Sequence, residues 1–350
     1  MRAVLLEEFG AVPRVTDVPD PVCPPDGVVV RVDVTGLCRS DWHALQGHDP
    51  DVVLPHVPGH EFAGRVEQVG AGVTGWSVGQ RVTAPFVNAC GECPTCRRGD
   101  HQVCERQTQP GFDKQGSFAE LVVVERAAVN LVALPDGVDS AAAAALGCRF
   151  ATAYRAVVEV GRVRPGERVA VHGCGGVGLS AVMVAVAAGA RVVAVDVRAE
   201  ALAFAASCGA EATVAVPAGA GPLDVAALVR DAAGGPVDLS LDALGHPDTC
   251  AASIAGLRPR GRHVQVGLLP SALGWPQVPM HLAIGRELEL LGSHGMAAHA
   301  YPGMLGLVEA GRLRPLDLVT GRIGLDDVPA ALHALGTAPP TGMTVALPNG

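Results

Sequence analysis

The sequence predicts an α/β fold with two domains, one an irregular β domain and the other a doubly wound parallel sheet. The first 150 residues contain short valine-rich runs separated by glycine and proline turns, a pattern typical of irregular β structure. From about residue 150 onward, short strands alternate with alanine-rich helices, as in a parallel sheet covered by helices. The 350 residues provide enough material for two such cores.

The predicted elements follow this division. In the first domain the predicted strands are Val28–Val34, Phe62–Val69, Arg81–Pro85 and Phe118–Val124. In the second domain they are Arg168–Gly173, Arg191–Asp196, Ala212–Val216, Val237–Asp242, Arg262–Gly267 and Leu288–Gly292, with helices at Val177–Ala188, Glu200–Cys208 and Leu223–Ala232. After residue 292 the pattern is mixed, so we predict that residues 1–149 and 292–350 form the first domain and residues 150–291 the second.

The charge and the N-terminus exclude several classes of protein. A net charge of −9 and a sequence pI near 5.7 argue against nucleic acid or an anionic membrane as the main partner. Glu7 and Glu8 interrupt the first apolar run, so we predict no secretory signal and expect a cytoplasmic location. The uncharged run from Val169 to Ala190 is long enough to resemble a membrane span, but its glycines indicate a strand, a turn and a helix of a soluble core.

Four cysteines lie close together at Cys90, Cys93, Cys96 and Cys104, with the spacing C-x2-C-x2-C-x7-C. This spacing lets one loop surround a tetrahedral zinc ion with four thiolates. Because every coordination position is then filled, the pattern predicts a structural site. Two disulfides or an iron–sulfur cluster are the alternatives. A reducing cytosol disfavours disulfides, and the spacing differs from those of ferredoxins.

A glycine-rich segment follows the first strand of the second domain and opens a helix. Gly173 permits a tight turn, Gly175 lets the backbone approach a pyrophosphate, and Gly178 allows the helix to pack closely on the strand. Asp196 ends the next strand, where a carboxylate accepts hydrogen bonds from ribose hydroxyls and repels a 2′-phosphate. NAD is therefore favoured over NADP, although the nearby Arg198 could support NADP. A purely structural glycine turn is the alternative.

Three further candidate metal ligands lie outside the cysteine cluster, at Cys38, His60 and Cys148. Two thiolates and one imidazole would leave the fourth position of a zinc ion open, as a Lewis-acid site requires. Their spacing in the sequence alone does not show that these three residues lie close together in the fold. Taken singly, each also fits a core thiol or a surface histidine.

The order of these motifs resembles that of the zinc-dependent medium-chain alcohol dehydrogenases over essentially the whole chain. The matching segments are Cys38-x-Ser40-Asp41-x-His43, Gly59-His60-Glu61, the four-cysteine loop, Cys148, the Gly173–Gly178 loop and Asp196. The resemblance implies a GroES-like catalytic domain that binds zinc and a Rossmann domain that binds NAD. It also implies two zinc ions per chain, a catalytic ion at Cys38, His60 and Cys148 and a structural ion at the four cysteines.

The resemblance assigns roles to individual residues. Ser40 would take the alcohol proton and pass it through the cofactor ribose to His43. Asp41 would hold the zinc-binding histidine, and Glu61 would lie behind the metal as an occasional ligand. The residues implied around NAD are Arg39, Gly173, Gly175, Gly176, Val177, Gly178, Asp196, Arg198, Val266 and Ser293. Those implied around the substrate are Phe86, Trp42 and Asp49, and the last two depart from the residue types usual in the family.

The expected reaction transfers a hydride between an alcohol, bound to zinc as its alkoxide, and NAD, and gives an aldehyde or a ketone. A polyol, secondary-alcohol or biosynthetic hydroxyl dehydrogenase is one alternative. Others are a zinc-free NADPH quinone reductase-like enzyme, whose relatives lack the ligand set and Asp196, and a catalytically silent NAD-binding protein. The resemblance also implies a homo-oligomer, a tetramer or alternatively a dimer, paired through the last strand of the second domain.

Overall fold

The chain divides into two compact units, seen in a computed structural model that describes residues 1–269 and 275–350. The first unit contains Met1–Ala151 and Gly295–Gly350, and the second contains Thr152–His294. Each observed boundary differs from the corresponding predicted one by two or three residues.

The strands and helices follow in chain order. The strands are β1 (Arg2–Leu5), β2 (Arg14–Asp17), β3 (Val28–Leu37), β4 (Glu61–Val69), β5 (Arg81–Thr83), β6 (Leu121–Val124), β7 (Val132–Ala133), β8 (Arg168–His172), β9 (Arg191–Asp196), β10 (Ala212–Ala215), β11 (Val237–Asp242), β12 (Leu257–Gln265), β13 (Glu289–Gly292), β14 (Val319–Gly324) and β15 (Met343–Leu347). The α-helices are α1 (Arg39–Leu45), α2 (Pro94–Arg97), α3 (Ala127–Asn130), α4 (Ser140–Ala145), α5 (Ala151–Tyr154), α6 (Gly176–Ala187), α7 (Ala199–Ser207), α8 (Pro222–Ala233), α9 (Pro247–Ala255), α10 (Met280–Arg286), α11 (Tyr301–Glu309) and α12 (Val328–Ala334).

The first unit is organised around β3. Its strands form a sheet in the order β14-β15-β3-β4-β5-β7, and β6 also pairs with β3. Alternate residues of β3, namely Val28, Val30 and Val32, point into a core shared with Phe62 and Val66 of β4. The two-residue period of a strand therefore explains why the valine-rich run buries one face. Because β14 and β15 are formed by residues 319–324 and 343–347, the C-terminal segment completes this unit.

The second unit is a parallel six-stranded sheet in the order β10-β9-β8-β11-β12-β13. The strand order reverses between β8 and β11, as in a doubly wound sheet, and ligands bind at the carboxyl ends of the strands beside such a reversal. The predicted fold class is confirmed. Helices α9 and α10 of this unit are absent from the prediction, and both begin at or beside a proline, which also marks turns.

The apolar run Val169–Ala190 divides between strand β8 and helix α6, as predicted. Across residues 1–269 and 275–350, no helix is long and apolar enough to cross a membrane.

Candidate functional site

The register of the β3–β4 pair brings two candidate ligands to one end of the sheet of the first unit. The strands are antiparallel, and Gly36 of β3 pairs with Glu61 of β4. Cys38 follows the end of β3, and His60 precedes the start of β4. Antiparallel pairing therefore joins two residues that lie far apart in the sequence.

Asp41 fixes the positions of both ligands. It lies in the first turn of α1, and its Oδ2 accepts a hydrogen bond from the backbone N–H of Cys38 at 2.9 Å, which caps the helix. Its Oδ1 accepts from His60 Nδ1 at 2.7 Å and from the backbone N–H of Gly59 at 3.2 Å. Since Asp41 is fully buried, these bonds hold the His60 ring with Nδ1 protonated and leave Nε2 available.

Cys148 reaches the site from a π-helical segment, Leu146–Phe150, that continues α4. The wider π turn changes the direction of the side chains relative to a regular α-helix, and such turns are frequent at functional sites. The buried Tyr301 hydroxyl lies 3.2 Å from the carbonyl oxygen of Leu146 and 3.4 Å from that of Gly147, and donates to this turn. Sequence reasoning missed Tyr301, because nothing local links residue 301 to residue 148.

The resulting donor set suits a divalent metal ion. The ligand atoms of Cys38, His60, Glu61 and Cys148 lie within 4.8 Å of one another. His60 Nε2 is buried and has no hydrogen-bond partner among the described residues. Contact with Cys148 holds the pKa of Cys38 well below its usual value, despite burial that acts in the opposite direction. A thiolate, a second thiol and a bare imidazole nitrogen are ligands that zinc prefers.

Glu61 is bound on both carboxylate oxygens by Arg149. Arg149 Nε lies 2.9 Å from Oε1 and 3.0 Å from Oε2, Nη2 also donates to Oε2, and the Arg149 backbone N–H donates to Oε1 at 3.0 Å. Both side chains are buried. A Cβ at Gly36 would overlap Glu61 Oε2, so a larger residue there would require the buried Glu61–Arg149 pair to shift. Sequence reasoning placed Glu61 behind the metal but did not identify this partner, although Arg149 follows Cys148 directly.

The four-cysteine loop has the geometry of a closed metal site. Four sulfurs placed about 2.3 Å from a tetrahedral centre lie about 3.8 Å apart. The observed separations are 3.9 Å between Cys90 and Cys96 and 3.8 Å between Cys93 and Cys104. Backbone N–H groups of Cys93 and Glu92 donate to Cys90 Sγ at 3.3 and 3.5 Å, which stabilises a thiolate. All ten cysteines of the chain are free, so the disulfide alternative is wrong.

The glycine loop of the second unit has the geometry that a dinucleotide needs. Gly173 has φ +87°, and a Cβ on Gly178 would overlap the carbonyl oxygen of Gly173. Around the Cβ position of Gly175 nothing lies within 4 Å, which leaves room at the start of α6. Free N–H groups and the positive end of the helix dipole at that point suit a phosphate. Gly176 and Val177, also predicted to bind the cofactor, form the first turn of α6.

Asp196 lies beside this loop at the carboxyl end of β9. Its Oδ2 accepts from the backbone N–H of Cys174 at 2.7 Å, and its Oδ1 accepts from that of Arg198 at 2.9 Å. Asp196 therefore ties the glycine loop to the turn that begins α7. A carboxylate has about four acceptor positions, so it retains the capacity to bind ribose hydroxyls.

The other predicted cofactor residues of the second unit lie at the ends of strands. The backbone N–H of Val266 donates to the Asp242 carbonyl oxygen at 3.0 Å. The backbone N–H of Ser293 donates to the Gln265 carbonyl oxygen at 3.0 Å, and Arg155 Nη1 lies 3.4 Å from the Ser293 hydroxyl.

The remaining predicted residues of the first unit lie on or near α1. Ser40 Oγ is 3.7 Å from Cys38 Sγ, and His43 Nδ1 is 3.1 Å from Nδ1 of His48. The guanidinium of Arg39 lies over the Trp42 ring at 5.0 Å and donates to the Leu335 carbonyl oxygen.

Two aromatic rings lie close to His60. The Phe86 ring is 6.2 Å from the His60 ring, and the buried Phe112 ring, which sequence reasoning missed, is 5.0 Å from it. Asp49 accepts a hydrogen bond from the backbone N–H of Asp51 at 3.0 Å. Its role in a substrate pocket, like that of Trp42, stays a prediction.

Family models match both units of the chain. The model described as "Alcohol dehydrogenase GroES-like domain" matches residues 24–136, and the one described as "Zinc-binding dehydrogenase" matches residues 176–310.

Known proteins resemble the chain over different lengths. An alcohol dehydrogenase of Geobacillus stearothermophilus is 40% identical over 216 residues, which are 61% of this chain and 63% of that enzyme. An NAD-dependent alcohol dehydrogenase of Sulfurisphaera tokodaii is 30% identical over 99% of this chain and 100% of its own length. The solved structure of an alcohol dehydrogenase from Thermus sp. ATN1 is 33% identical, has a TM-score of 0.88 and covers 99% of both chains.

Proposed function

Because the chain belongs to the family of zinc-dependent medium-chain alcohol dehydrogenases, we propose that it transfers a hydride between an alcohol and NAD, with an aldehyde or ketone as the oxidised product. The observation that carries this proposal is the convergence of two cysteine sulfurs on the bare Nε2 of His60. Three protein ligands leave a fourth position for a substrate, which distinguishes this site from the closed four-cysteine site.

The residues of the first unit would hold a catalytic zinc through Cys38, His60 and Cys148, with Asp41 orienting the imidazole. When bound, the metal would lower the pKa of an alcohol hydroxyl, and NAD would supply the hydride acceptor. Ser40 Oγ would accept the alcohol proton, and His43 would carry it towards solvent. Phe86 and Phe112, whose rings lie close to His60, would exclude water from the reacting atoms. Arg149 would keep the Glu61 carboxylate bound behind the ligands.

The proposal is tested by turnover of ethanol, benzyl alcohol, 2-butanol and sorbitol with NAD and with NADP, together with the metal content per chain. We expect NAD-dependent oxidation of at least one simple alcohol and about two zinc ions per chain. A preference for sorbitol would favour the polyol alternative. Activity with NADPH and a quinone, without bound zinc, would favour the reductase alternative, and no turnover of any alcohol would indicate a catalytically silent protein.

Ser40→Ala is expected to lower kcat by a factor of about 100 or more and to raise KM much less, because a proton relay acts on the chemical step. The measurement is steady-state kinetics with the best alcohol of the panel between about pH 6 and 9. Ser77→Ala, at a surface turn of the same unit, is the matched control and should retain wild-type kinetics. Equal activity of Ser40→Ala and wild type across that pH range would remove Ser40 from the mechanism.

Asp196 is expected to give a preference for NAD over NADP of roughly a hundredfold or more in kcat/KM, because its charge repels a 2′-phosphate and its oxygens accept from ribose hydroxyls. Asp196→Ala should erode the preference and also loosen the glycine loop, since the acceptor for the Cys174 N–H is lost. Asp196→Asn keeps an acceptor and separates these two effects. Equal use of NAD and NADP by the wild type would show that Arg198 dominates cofactor choice.

The proposal extends to location and assembly. A homo-oligomer, tetrameric or dimeric, is supported by the position of β13, which lies at one end of the six-stranded sheet. A cytoplasmic location stays a prediction. Within the described residues β13 pairs only with β12, so its other edge is available to a second copy. Light scattering of the purified protein would measure the assembly.

A further inference from the structure

The end of α1 brings His48 back onto the last turn of the helix. Gly47, with φ +72°, follows the C-cap residue Gln46 and reverses the chain. The backbone N–H of Gly47 donates to the Ala44 carbonyl oxygen at 3.0 Å, and that of His48 donates to the His43 carbonyl oxygen at 3.0 Å. These two bonds define a Schellman motif.

A Schellman motif places two particular side chains in contact, those of the third residue from the helix end and of the second residue after the cap. Apolar residues usually make this contact. Here the two positions are His43 and His48, whose Nδ1 atoms are 3.1 Å apart and whose ring centroids are 5.4 Å apart. Trp42 contacts both rings edge-on, at centroid distances of 4.9 and 5.8 Å. The backbone therefore fixes the imidazole pair.

The short distance between the two nitrogens constrains the protons of the pair. A hydrogen bond between two Nδ1 atoms requires one ring to donate and the other to accept, so one neutral ring must carry its proton on Nδ1. Each ring then keeps Nε2 for other partners. Such an arrangement would allow a proton to enter at one Nε2 and to leave at the other.

We propose that His48 is the proton acceptor beyond His43 and releases the proton of the alcohol to solvent. In this path, which rests on the proposed function, His43 gains a proton at Nε2 and gives its Nδ1 proton to Nδ1 of His48. The His48 ring then loses its Nε2 proton to water, and exchange with water restores both starting tautomers. No oxidant or further reactant is needed, since one proton enters and one leaves.

The charges around His43 favour onward transfer. Partial burial lowers the pKa of His43, the nearby Arg39 and His48 lower it further, and Cys38 opposes them weakly. A proton that reaches His43 is therefore held weakly. His43 and His48 are both exposed, and the His48 ring can pass that proton to water.

The experiment compares proton release with NADH formation in a single turnover, followed by a pH indicator dye in weakly buffered solution. His48→Leu restores the apolar contact usual in this motif, so the helix end is expected to remain intact while the acceptor is lost. His333→Leu, at an exposed histidine of the same unit, is the matched control. We expect the rate of proton release in His48→Leu to fall by about threefold or more relative to wild type. Added HEPES should restore this rate, because a dissolved buffer base can accept the proton.

Two results would overturn the inference. The first is proton release from His48→Leu at the wild-type rate in weak buffer. The second comes from nitrogen NMR of histidine-labelled protein at a pH where both rings are neutral. We expect one ring of the pair in the Nδ1–H tautomer in wild type, and its loss in His48→Leu; two Nε2–H rings in wild type would contradict the shared proton. The NMR result stands even if no alcohol is oxidised, which would instead contradict the proposed function.

Discussion

A chelator is expected to remove the metal of the Cys38, His60 and Cys148 site first and to abolish alcohol oxidation while the fold is retained. This site has three protein ligands, so a chelator can occupy the fourth position and compete for the ion. The four-cysteine site offers no such position, and N–H groups of its own loop stabilise its sulfurs. Metal content should therefore fall from about two ions per chain to about one as activity is lost.

The measurements are metal content, turnover and circular dichroism along one chelation time course. Cys93→Ala supplies the complementary variant, because it opens the closed site. We expect it to lose the second ion and much stability, since the binding of a structural zinc is worth on the order of 10 kcal/mol to folding. Full activity in protein that contains one ion or none would contradict the assignment of two sites.

The second large effect, a loss of folding stability, is expected for Arg149→Met. The substitution keeps an unbranched side chain but leaves the Glu61 carboxylate buried without its partner, and breaking a buried ion pair in this way typically costs about 3–5 kcal/mol. The thermal midpoint of the first unit should fall by roughly 10 °C. Calorimetry would measure the change, on both metal-loaded and chelated protein.

Arg191→Met is the matched control for this prediction. Arg191 pairs with Glu211 in the same bidentate manner, but both side chains are about half exposed, at 51% and 52%. Exposed pairs contribute about 1 kcal/mol or less, so the control should hardly change the midpoint. Similar small effects of the two substitutions would mean that Arg149 and Glu61 are hydrated in solution and that the buried pair does not persist.

The sequence predicted the elements whose signals are local. The six parallel strands come from runs such as Arg191–Asp196, where β-branched residues, turns and helices alternate within a few residues. The cysteine loop and the glycine loop were recognisable because all of their ligands or turns lie within one short segment. Family resemblance then linked Cys38, His60 and Cys148, which spacing alone left separate.

The contacts that the sequence could not supply join distant segments. Tyr301 reaches the π turn that carries Cys148 from more than 150 positions away, and only the tertiary fold brings them together. Arg149 directly follows the predicted ligand Cys148. The direction of its side chain depends on the π turn, however, and that turn has no clear sequence signal. His48 was within reach of sequence reasoning, because glycine after a helix predicts a Schellman motif and hence its contact with His43.

Asp41 has two structural roles, and this has a consequence for evolution. The same carboxylate caps α1 and holds the ring of His60, so a lineage cannot lose the metal and then drift freely at position 41 without also weakening a helix. A descendant that abandoned metal chemistry would be expected to retain the acidic residue long after its ligands had changed. The need to cap α1 thereby maintains the acidic side chain that orients His60.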